Sequence, residues 1–271
     1  MTANDVITSA ANPVVKRVRA LADRRHRRRE GAFVVEGVQP VWRAVAAGWP
    51  LQTLIVVPEQ LPDSAAELVA RQRALGTQVV SLSTELAGRL TERDRPPGLF
   101  AVVGVREVGL DSLAVPVDAV FVALHGIGNP GNLGTVLRTA DAAGAAGVVL
   151  VGDTADQYAP AAVKASMGSL FALPVAAVPD AETFFGWAAR QGVQVLATSG
   201  YAAAAHWSVE YRRPVAVLLG SEGAGLAEHL LARADATVRI PMVGTAESLN
   251  LAVAAALMLY EIGRHRIGPA E

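Results

Sequence analysis

Apolar and polar residues change period repeatedly along this chain, and the changes mark its elements. Asn12 and Pro13 form a cap and first-turn pair. Val14, Val15, Val18, Leu21 and Ala22 then recur at helical spacing until Gly31, which predicts one helix over that span. A short strand over Ala32 to Val35 and a helix from Val38 to Ala47 follow. Leu51 to Val57 is a continuous apolar run between prolines, the signature of a buried strand. Leu61 to Leu75 reads as a helix, Gln78 to Leu82 as a strand, Thr84 to Leu90 as a short helix and Leu99 to Val105 as a strand. The polar, proline-rich TERDRPPG at Thr91 to Gly98 reads as a solvent-exposed loop. Strands alternating with helices predict a small three-layer α/β domain.

Arg106 to Pro116 is charged and mixed, and the texture changes after it, so it reads as a linker between domains at 1–108 and 115–271. Beyond it the strands are more apolar and the glycines denser. Strands are expected at Ala119 to Leu124, Gly147 to Val151, Leu173 to Val178, Val193 to Thr198, Val215 to Leu219 and Thr237 to Ile240. Helices are expected at Ala161 to Ser166 and Ala181 to Arg190. The alanine clusters at 142–146, 202–205 and 252–256 read as helix or loop composition. Such alternation favours a mostly parallel sheet, whose ligands sit beyond the strands' C-terminal ends.

Composition narrows the function classes. The chain has 271 residues, 52% of them hydrophobic, which is enough for a sizeable core. No apolar run reaches the ~18 residues of a membrane span, and the first residues lack a secretory pattern, so the expected address is cytoplasmic. With no cysteine, thiolate catalysis and cysteine-held metals are excluded. The five histidines lack ligand spacing, so no metal is expected. His125, at a strand end, is the one histidine placed for a cleft; His206 and His229 read as loop and helix-surface residues.

Net charge is −1, but it is unevenly spread. Residues 1–110 hold 15 Lys and Arg against 11 Asp and Glu, and the remainder hold 9 against 14. The excess is concentrated in Lys16, Arg17, Arg19, Arg24, Arg25, Arg27, Arg28 and Arg29. A solvated helix end would account for these residues. An RNA phosphate clamp would too, with Lys16, Arg17, Arg24, Arg25, Arg28 and Arg29 as its candidates.

Three stretches carry candidate chemistry. In NPGNLGTVLRTA, Asn129 to Ala140, a glycine-bearing turn enters a helix bearing Asn132 and Arg138. It lacks the dinucleotide G-x-G-x-x-G spacing and any G-K-[ST] sequence, which argues against nucleotide-binding enzymes of those classes. VAVLLGSEGAGL, Val215 to Leu226, ends an apolar strand in Gly220 and places Glu222 in a turn. IPMVGTAESLNLAVAAAL, Ile240 to Leu257, brings Ser248, Leu249 and Asn250 to a helix entrance with spare N–H donors. Taken singly, each also reads as an ordinary capped turn.

In order and content, the three stretches together resemble the SpoU/TrmH family of RNA ribose 2′-O-methyltransferases, in the SPOUT superfamily. The resemblance spans about Asp118 to Ile262. Lys164 to Leu170, KASMGSL, is similar to a further family segment that usually starts with arginine. Ala32 to Gly37, AFVVEG, resembles the L30e-like substrate-binding domain often fused to these enzymes. The resemblance implies a C-terminal α/β domain with a deep trefoil knot and S-adenosylmethionine as methyl donor. It assigns Gly220, Ile240 and Leu249, with Leu219 and Met242 beside them and Thr198 and Gly200 on a neighbouring loop, to the cofactor. Arg138, Asn132, Glu222, Ser248 and Asn250 match its catalytic and positioning residues, with Asn132, Ser248 and Asn250 expected to fix the arginine. Asn129 stands where many members carry aspartate. The partners implied are RNA and a second copy of the chain. Ribosomal RNA of the large subunit leads, with an antibiotic-resistance type among the relatives, and transfer RNA comes second. A non-catalytic RNA-binding protein on the same scaffold is the alternative of another class.

Overall fold

The computed structural model describes residues 6–91 and 94–264. The chain forms two compact units. One runs through Arg106 and also takes in Tyr158–Phe171; the other comprises Glu107–Gln157 and the chain from Ala172 onward.

The first unit is built on α1 (Pro13–Ala20), α2 (Arg24–Glu30), β1 (Ala32–Glu36), α3 (Val38–Ala46), β2 (Leu51–Val56), α4 (Asp63–Ala74), β3 (Gln78–Ser81), α5 (Thr84–Thr91) and β4 (Leu99–Gly104). Its sheet has the order β1-β4-β2-β3, with only the β2–β3 pair parallel. Val15, Val18 and Leu21 of the α1 region pack with Leu86 and Ala87 of α5 over Ile55, Phe100 and Val102.

The single helix expected up to Gly31 is two. Asp23 ends the first by capping the second: its carboxylate accepts from Arg25 N and His26 N at 2.8 and 3.2 Å. Those hydrogen bonds, with the contact to His26, hold the Asp23 carboxyl below its ordinary range. The break leaves carbonyls without helical partners, and Arg27 supplies them. Its buried guanidinium donates to Leu21 O at 2.9 Å and Ala22 O at 2.7 Å. A helical pattern in apolar residues cannot register such a break, because Arg27 takes a core position with a charged group.

Two other expectations change. The TERDRPPG loop is exposed at Asp94 and Arg95, but Pro96 and Gly98 are buried; its residues 92–93 lie outside the described residues. Gly98 lies so close to the chain at Gln60 that a Cβ would stand 2.2 Å from that carbonyl oxygen. The supposed linker is likewise docked. Arg106 covers the Trp49 ring at 5.2 Å, while Val108 and Leu110 pack on the core of the second unit.

The second unit comprises β5 (Val120–His125), α6 (Pro130–Ala142), β6 (Gly147–Val151), β7 (Val175–Val178), α8 (Ala181–Gln191), β8 (Gln194–Thr198), β9 (Ala204–Ala205), β10 (Val215–Leu219), α9 (Glu228–Leu231), β11 (Ala236–Arg239) and α10 (Leu251–Gly263). The intervening α7 (Pro160–Ser166) belongs to the first unit. The seven strands run in the order β7-β6-β5-β10-β8-β11-β9, with every adjacent pair parallel. Phe184, Phe185, Trp187 and Ala188 of α8, with Leu226 and Leu230, cover one face. Helix α10 packs against α6, β5 and β10. Burial on both faces explains the unbroken apolar runs of β5, β6 and β10. Strand β9, within the alanine cluster expected to be helix or loop, is a two-residue edge strand beside β11.

Candidate active site

The strand order reverses between β5 and β10, which pair directly although β10 is last but one in sequence. In parallel sheets the crevice beyond the C-terminal ends at such a point is where ligands bind. Two of the motif loops leave from there, one after β5 and one after β10; the third leaves β11, two strands from β10, and leads into α10, which packs on β5 and β10.

Helix α6 starts at the first loop. Asn129 is its cap, its side-chain oxygen accepting from Gly131 N at 2.8 Å and Asn132 N at 3.2 Å. That role needs only an acceptor oxygen, so an asparagine serves it as well as an aspartate. Leu133, Val136, Leu137 and Ala140 form the buried face of α6 and leave Asn132 at its open end.

The second loop turns sharply. Gly225 N donates to Ser221 O at 3.0 Å, with Gly225 at φ +65°. The turn folds back onto Gly220, where a Cβ would stand 2.2 Å from the Gly225 carbonyl carbon. Only glycine fits there. The turn carries Glu222 out to the mouth.

The third loop ends at Asn250, the cap of α10, whose Oδ1 accepts from Ala252 N at 2.9 Å. With its oxygen so used, Asn250 turns its amide nitrogen outward and donates to Asn132 Oδ1 at 3.1 Å. Asn132 then has its own amide nitrogen to give, and it donates to Glu222 Oε1 at 2.9 Å. One residue from each motif thus enters a single directed chain: Asn250 to Asn132 to Glu222. The N-terminal ends of α6 and α10, each with partial positive charge, face the carboxylate that closes it. All three side chains border solvent, where a hydrogen bond contributes ~0.5–1.5 kcal/mol net. The arrangement therefore presents a fixed set of polar atoms to an incoming ligand more than it stabilises the fold.

The remaining candidates divide. Gly220 and Leu219 are buried at the end of β10, and Ile240 and Leu249 are half-buried on the third loop, where Met242 is exposed. Thr198, at the end of β8, donates its hydroxyl to Leu218 O at 3.3 Å, and Gly200 is exposed just beyond. These residues rim one end of the sheet. Ser248 is exposed on the same loop.

Arg138 is not brought into the cluster. Six residues after Asn132 on α6, it lies ~9 Å further along the axis and ~120° round it. It is exposed and makes no hydrogen bond or ion pair with described residues. Asn132, Ser248 and Asn250, expected to fix it, make no hydrogen bond to it within this chain.

His125, half-buried at the end of β5, has its imidazole held below the ordinary range by loss of water and then by repulsion from His229. His206 is a core residue after all: it is buried, its ring meets Trp207 edge-on at 4.8 Å and its carbonyl accepts from Tyr211 Oη. Among the described residues no group of three His, Asp or Glu could hold a metal, and no helix is long and apolar enough to cross a membrane.

In the basic region, Arg17 is drawn inward, donating to Glu30 at 2.9 Å and to Gln52. Lys16, Arg24, Arg25, Arg28 and Arg29 are exposed.

Residues 119–260 match the SpoU rRNA Methylase family, and residues 12–101 match the MRM3-like substrate binding domain. The chain belongs to the SpoU rRNA methylase family. A 23S rRNA (uridine(2479)-2′-O)-methyltransferase of Streptomyces viridochromogenes is 37% identical over 254 residues, covering 91% of this chain and 88% of that one. A 23S rRNA (guanosine(2553)-2′-O)-methyltransferase of Bacillus subtilis is 31% identical, covering 94% and 98%. Among solved structures, an AdoMet-bound rRNA methyltransferase from Sinorhizobium meliloti superposes with a TM-score of 0.90 at 37% identity, covering 97% of this chain and 99% of that one. Within this SpoU chain the three motifs are the ones joined by the Asn250–Asn132–Glu222 chain.

Proposed function

We propose that this protein transfers a methyl group from S-adenosylmethionine to a ribose 2′-hydroxyl of 23S ribosomal RNA, in the cytoplasm. The observation that carries the reading is the hydrogen-bonded chain from Asn250 through Asn132 to Glu222, which unites all three motifs at the switch point of the sheet. Relatives that share nearly the whole chain are named for that reaction.

The residues present suit the cofactor. When bound, it supplies a methyl group activated by a sulfonium and needs no phosphate site. The rim made by Gly220, Ile240 and Leu249 is apolar and backbone-lined, and the tight turn at Gly220 leaves room for backbone contact where any side chain would clash. Leu219, Met242, Thr198 and Gly200 extend that rim. The knotted threading of the family is part of the same reading: from β11 at one side of the sheet the chain returns to place α10 against α6, β5 and β10.

On the substrate side, Asn132 and Asn250 fix the ribose and Glu222 orients Asn132. Ser248 offers a further hydroxyl. Arg138 offers N–H donors and a positive charge but no acceptor, so its part is to orient the RNA and stabilise the developing alkoxide. Since Arg138 points away from its own chain's cluster, it serves the site of a second copy in a homodimer. The exposed apolar stripe of α10, Val253, Leu257 and Tyr260, is the face on which that copy docks. Lys16, Arg24, Arg25, Arg28 and Arg29 form the phosphate-binding surface of the first unit.

The test is methyl transfer from labelled S-adenosylmethionine to unmodified 23S ribosomal RNA and transfer RNA, followed by mapping of ribose methylation. A new 2′-O-methyl group in 23S RNA that disappears with Asn132→Asp is expected. Incorporation into transfer RNA alone would move the substrate, and none into either would end the reading.

A further inference from the structure

The first unit holds a cavity of about 330 Å³ alongside its edge strand β1. Val18, Arg19 and Ala22 line it from α1 and the turn behind it. Val34 and Glu36 come from β1, Arg89 and Leu90 from α5, and Pro160, Val163 and Lys164 from α7. Its volume lies within the ~300–1,000 Å³ typical of small-ligand sites.

The lining divides by chemistry. Val18 and Val163 are buried and, with the half-buried Val34 and Leu90, make an apolar floor, while Ala22 and Pro160 stand exposed at its margin. Arg19, Arg89 and Lys164 are exposed and form a cationic rim, with Glu36 the single carboxylate among the lining residues. Arg89 gives one N–H to Glu85 at 2.6 Å, while the side chains of Arg19 and Lys164 make no hydrogen bond or ion pair with described residues. An apolar floor beneath three cations matches an unstacked base with its phosphate. RNA is read largely through such splayed-out bases, which lie on apolar, aromatic or guanidinium surfaces.

The wall that carries Lys164 has an unusual origin. Helix α7 lies in sequence between β6 and β7 of the catalytic sheet, yet it packs against β1 in the first unit. An aromatic cluster fastens this insertion. Tyr158 and Phe171, at its two ends, lie 4.7 and 6.3 Å from the Phe33 ring, and Trp49 Nε1 donates to Phe171 O at 3.2 Å. The cavity thus exists only where the two halves of the sequence are interleaved. Arg19 on its rim stands on the helix before α2, which carries the exposed Arg24, Arg25, Arg28 and Arg29.

We propose that this cavity takes one flipped-out nucleotide of the substrate RNA, its base on the Val18–Val34–Val163 floor and its phosphate on Arg19, Arg89 and Lys164. The proposal rests on RNA being the substrate. It adds a subsite in the first unit, separate from the Asn132 cluster.

The test uses the full chain and an unmodified 23S ribosomal RNA transcript, with affinity measured across a salt series. Ala22→Trp fills the cavity without altering charge, and Lys164→Ala removes one rim cation. Ala22→Trp is expected to weaken binding about ten-fold or more with the salt slope unchanged. Lys164→Ala is expected to lower that slope by about one, as loss of one phosphate contact requires. Binding of S-adenosylmethionine and the thermal midpoint serve as controls for folding, and Ala22→Leu takes the place of the tryptophan if the midpoint falls. In parallel, uridine and guanosine 5′-monophosphates should shift the methyl resonances of Val18, Val34 and Val163, and inorganic phosphate should not. Wild-type affinity in the filled variant, or equal shifts with phosphate alone, would overturn the proposal. A wild-type protein that methylates no RNA sinks the functional reading. One that methylates RNA while the filled variant binds normally sinks the subsite alone.

Discussion

Asn132 donates its amide to Glu222 Oε1 at 2.9 Å, joining two residues 90 positions apart. The direction of that bond is set elsewhere. Because Asn250 uses its oxygen to cap α10, only its nitrogen is left for Asn132, whose nitrogen is in turn left for Glu222. Asn132→Asp removes the only donor in the middle of this chain and sets two carboxylates against each other. Methyl transfer should fall about 100-fold or more, the scale on which misplacement of a positioning group acts. Binding of S-adenosylmethionine, measured by calorimetry, should stay within a few-fold. A variant with normal turnover would remove the chain from the mechanism.

Gly220→Ala tests the cofactor side. The added methyl would stand 2.2 Å from the Gly225 carbonyl carbon, so the Ser221–Gly225 turn has to move. Overpacking of this kind costs about 1–3 kcal/mol. For a chain of this size that is roughly 2–4 °C in thermal midpoint per kcal/mol. Affinity for S-adenosylmethionine should fall at least about ten-fold, because the displaced turn forms the rim. An unchanged affinity would mean that the turn lies outside the cofactor site.

Much of this was legible in the chain. The apolar runs of β5, β6 and β10 are strands because helices cover both faces, and such runs read directly from sequence. The motif residues also announced themselves by type, yet their geometry did not. That Asn129 caps α6 is a local matter, but that Asn132 bridges two other loops depends on contacts 90 and 118 residues distant. Arg138 shows the converse. Its place in the motif suggested convergence with Asn132, and the 3.6-residue helical repeat turns it away. The Asp23 cap and the inward Arg27 were hidden inside a run of arginines that reads uniformly as surface.

Arg27 and its neighbours should separate cleanly under mutation. Arg27→Ala leaves Leu21 O and Ala22 O without their donor in a buried setting, a loss of about 1–3 kcal/mol. Arg28→Ala and Arg29→Ala alter exposed side chains and should change stability by no more than about 0.5 kcal/mol. The order reverses for RNA. The double change at Arg28 and Arg29 should weaken binding and flatten its salt dependence. Denaturant unfolding and salt-dependent affinity, measured on both sets, check the two halves of this prediction. Equal destabilisation by all three substitutions would refute it.

His125 gives the fold an acid-sensitive point. Its pKa lies below the ordinary 6.5, chiefly through lost hydration and then through His229. Below pH 6.5 the unfolded chain therefore binds more protons at this position than the folded one. The contribution of His125 is fully favourable above 6.5 and is lost as pH falls toward the depressed folded value. The wild-type thermal midpoint should drop between pH 7 and 5.5, and His125→Gln should flatten that slope. His229→Gln should flatten it less, since the charge on His229 is the smaller cause. Parallel pH profiles for wild type and His125→Gln would show that acid acts elsewhere.

Val253, Leu257 and Tyr260 recur at helical spacing on α10 and are 47%, 42% and 49% exposed in the single chain. Their helix packs on α6, the helix that carries the outward Arg138. If a second copy covers this stripe, Leu257→Asp places a charge in an apolar interface and should convert a dimer to a monomer in sedimentation. The Asn250–Asn132–Glu222 chain lies within one protomer and survives the change, so the fold should persist by circular dichroism. Methyl transfer should nevertheless fall at least about 100-fold, because Arg138 no longer reaches the partner's site. Mixing two inactive proteins offers a sharper readout. A homodimer carrying Arg138→Ala and one carrying Asn132→Asp should each be inactive. A heterodimer of the two has one wild-type Arg138 and one wild-type Asn132 on different protomers, and they meet in one of its two sites. Recovery of about half the wild-type turnover per heterodimer is expected. No recovery on mixing, with subunit exchange confirmed, would mean that Arg138 acts within its own chain.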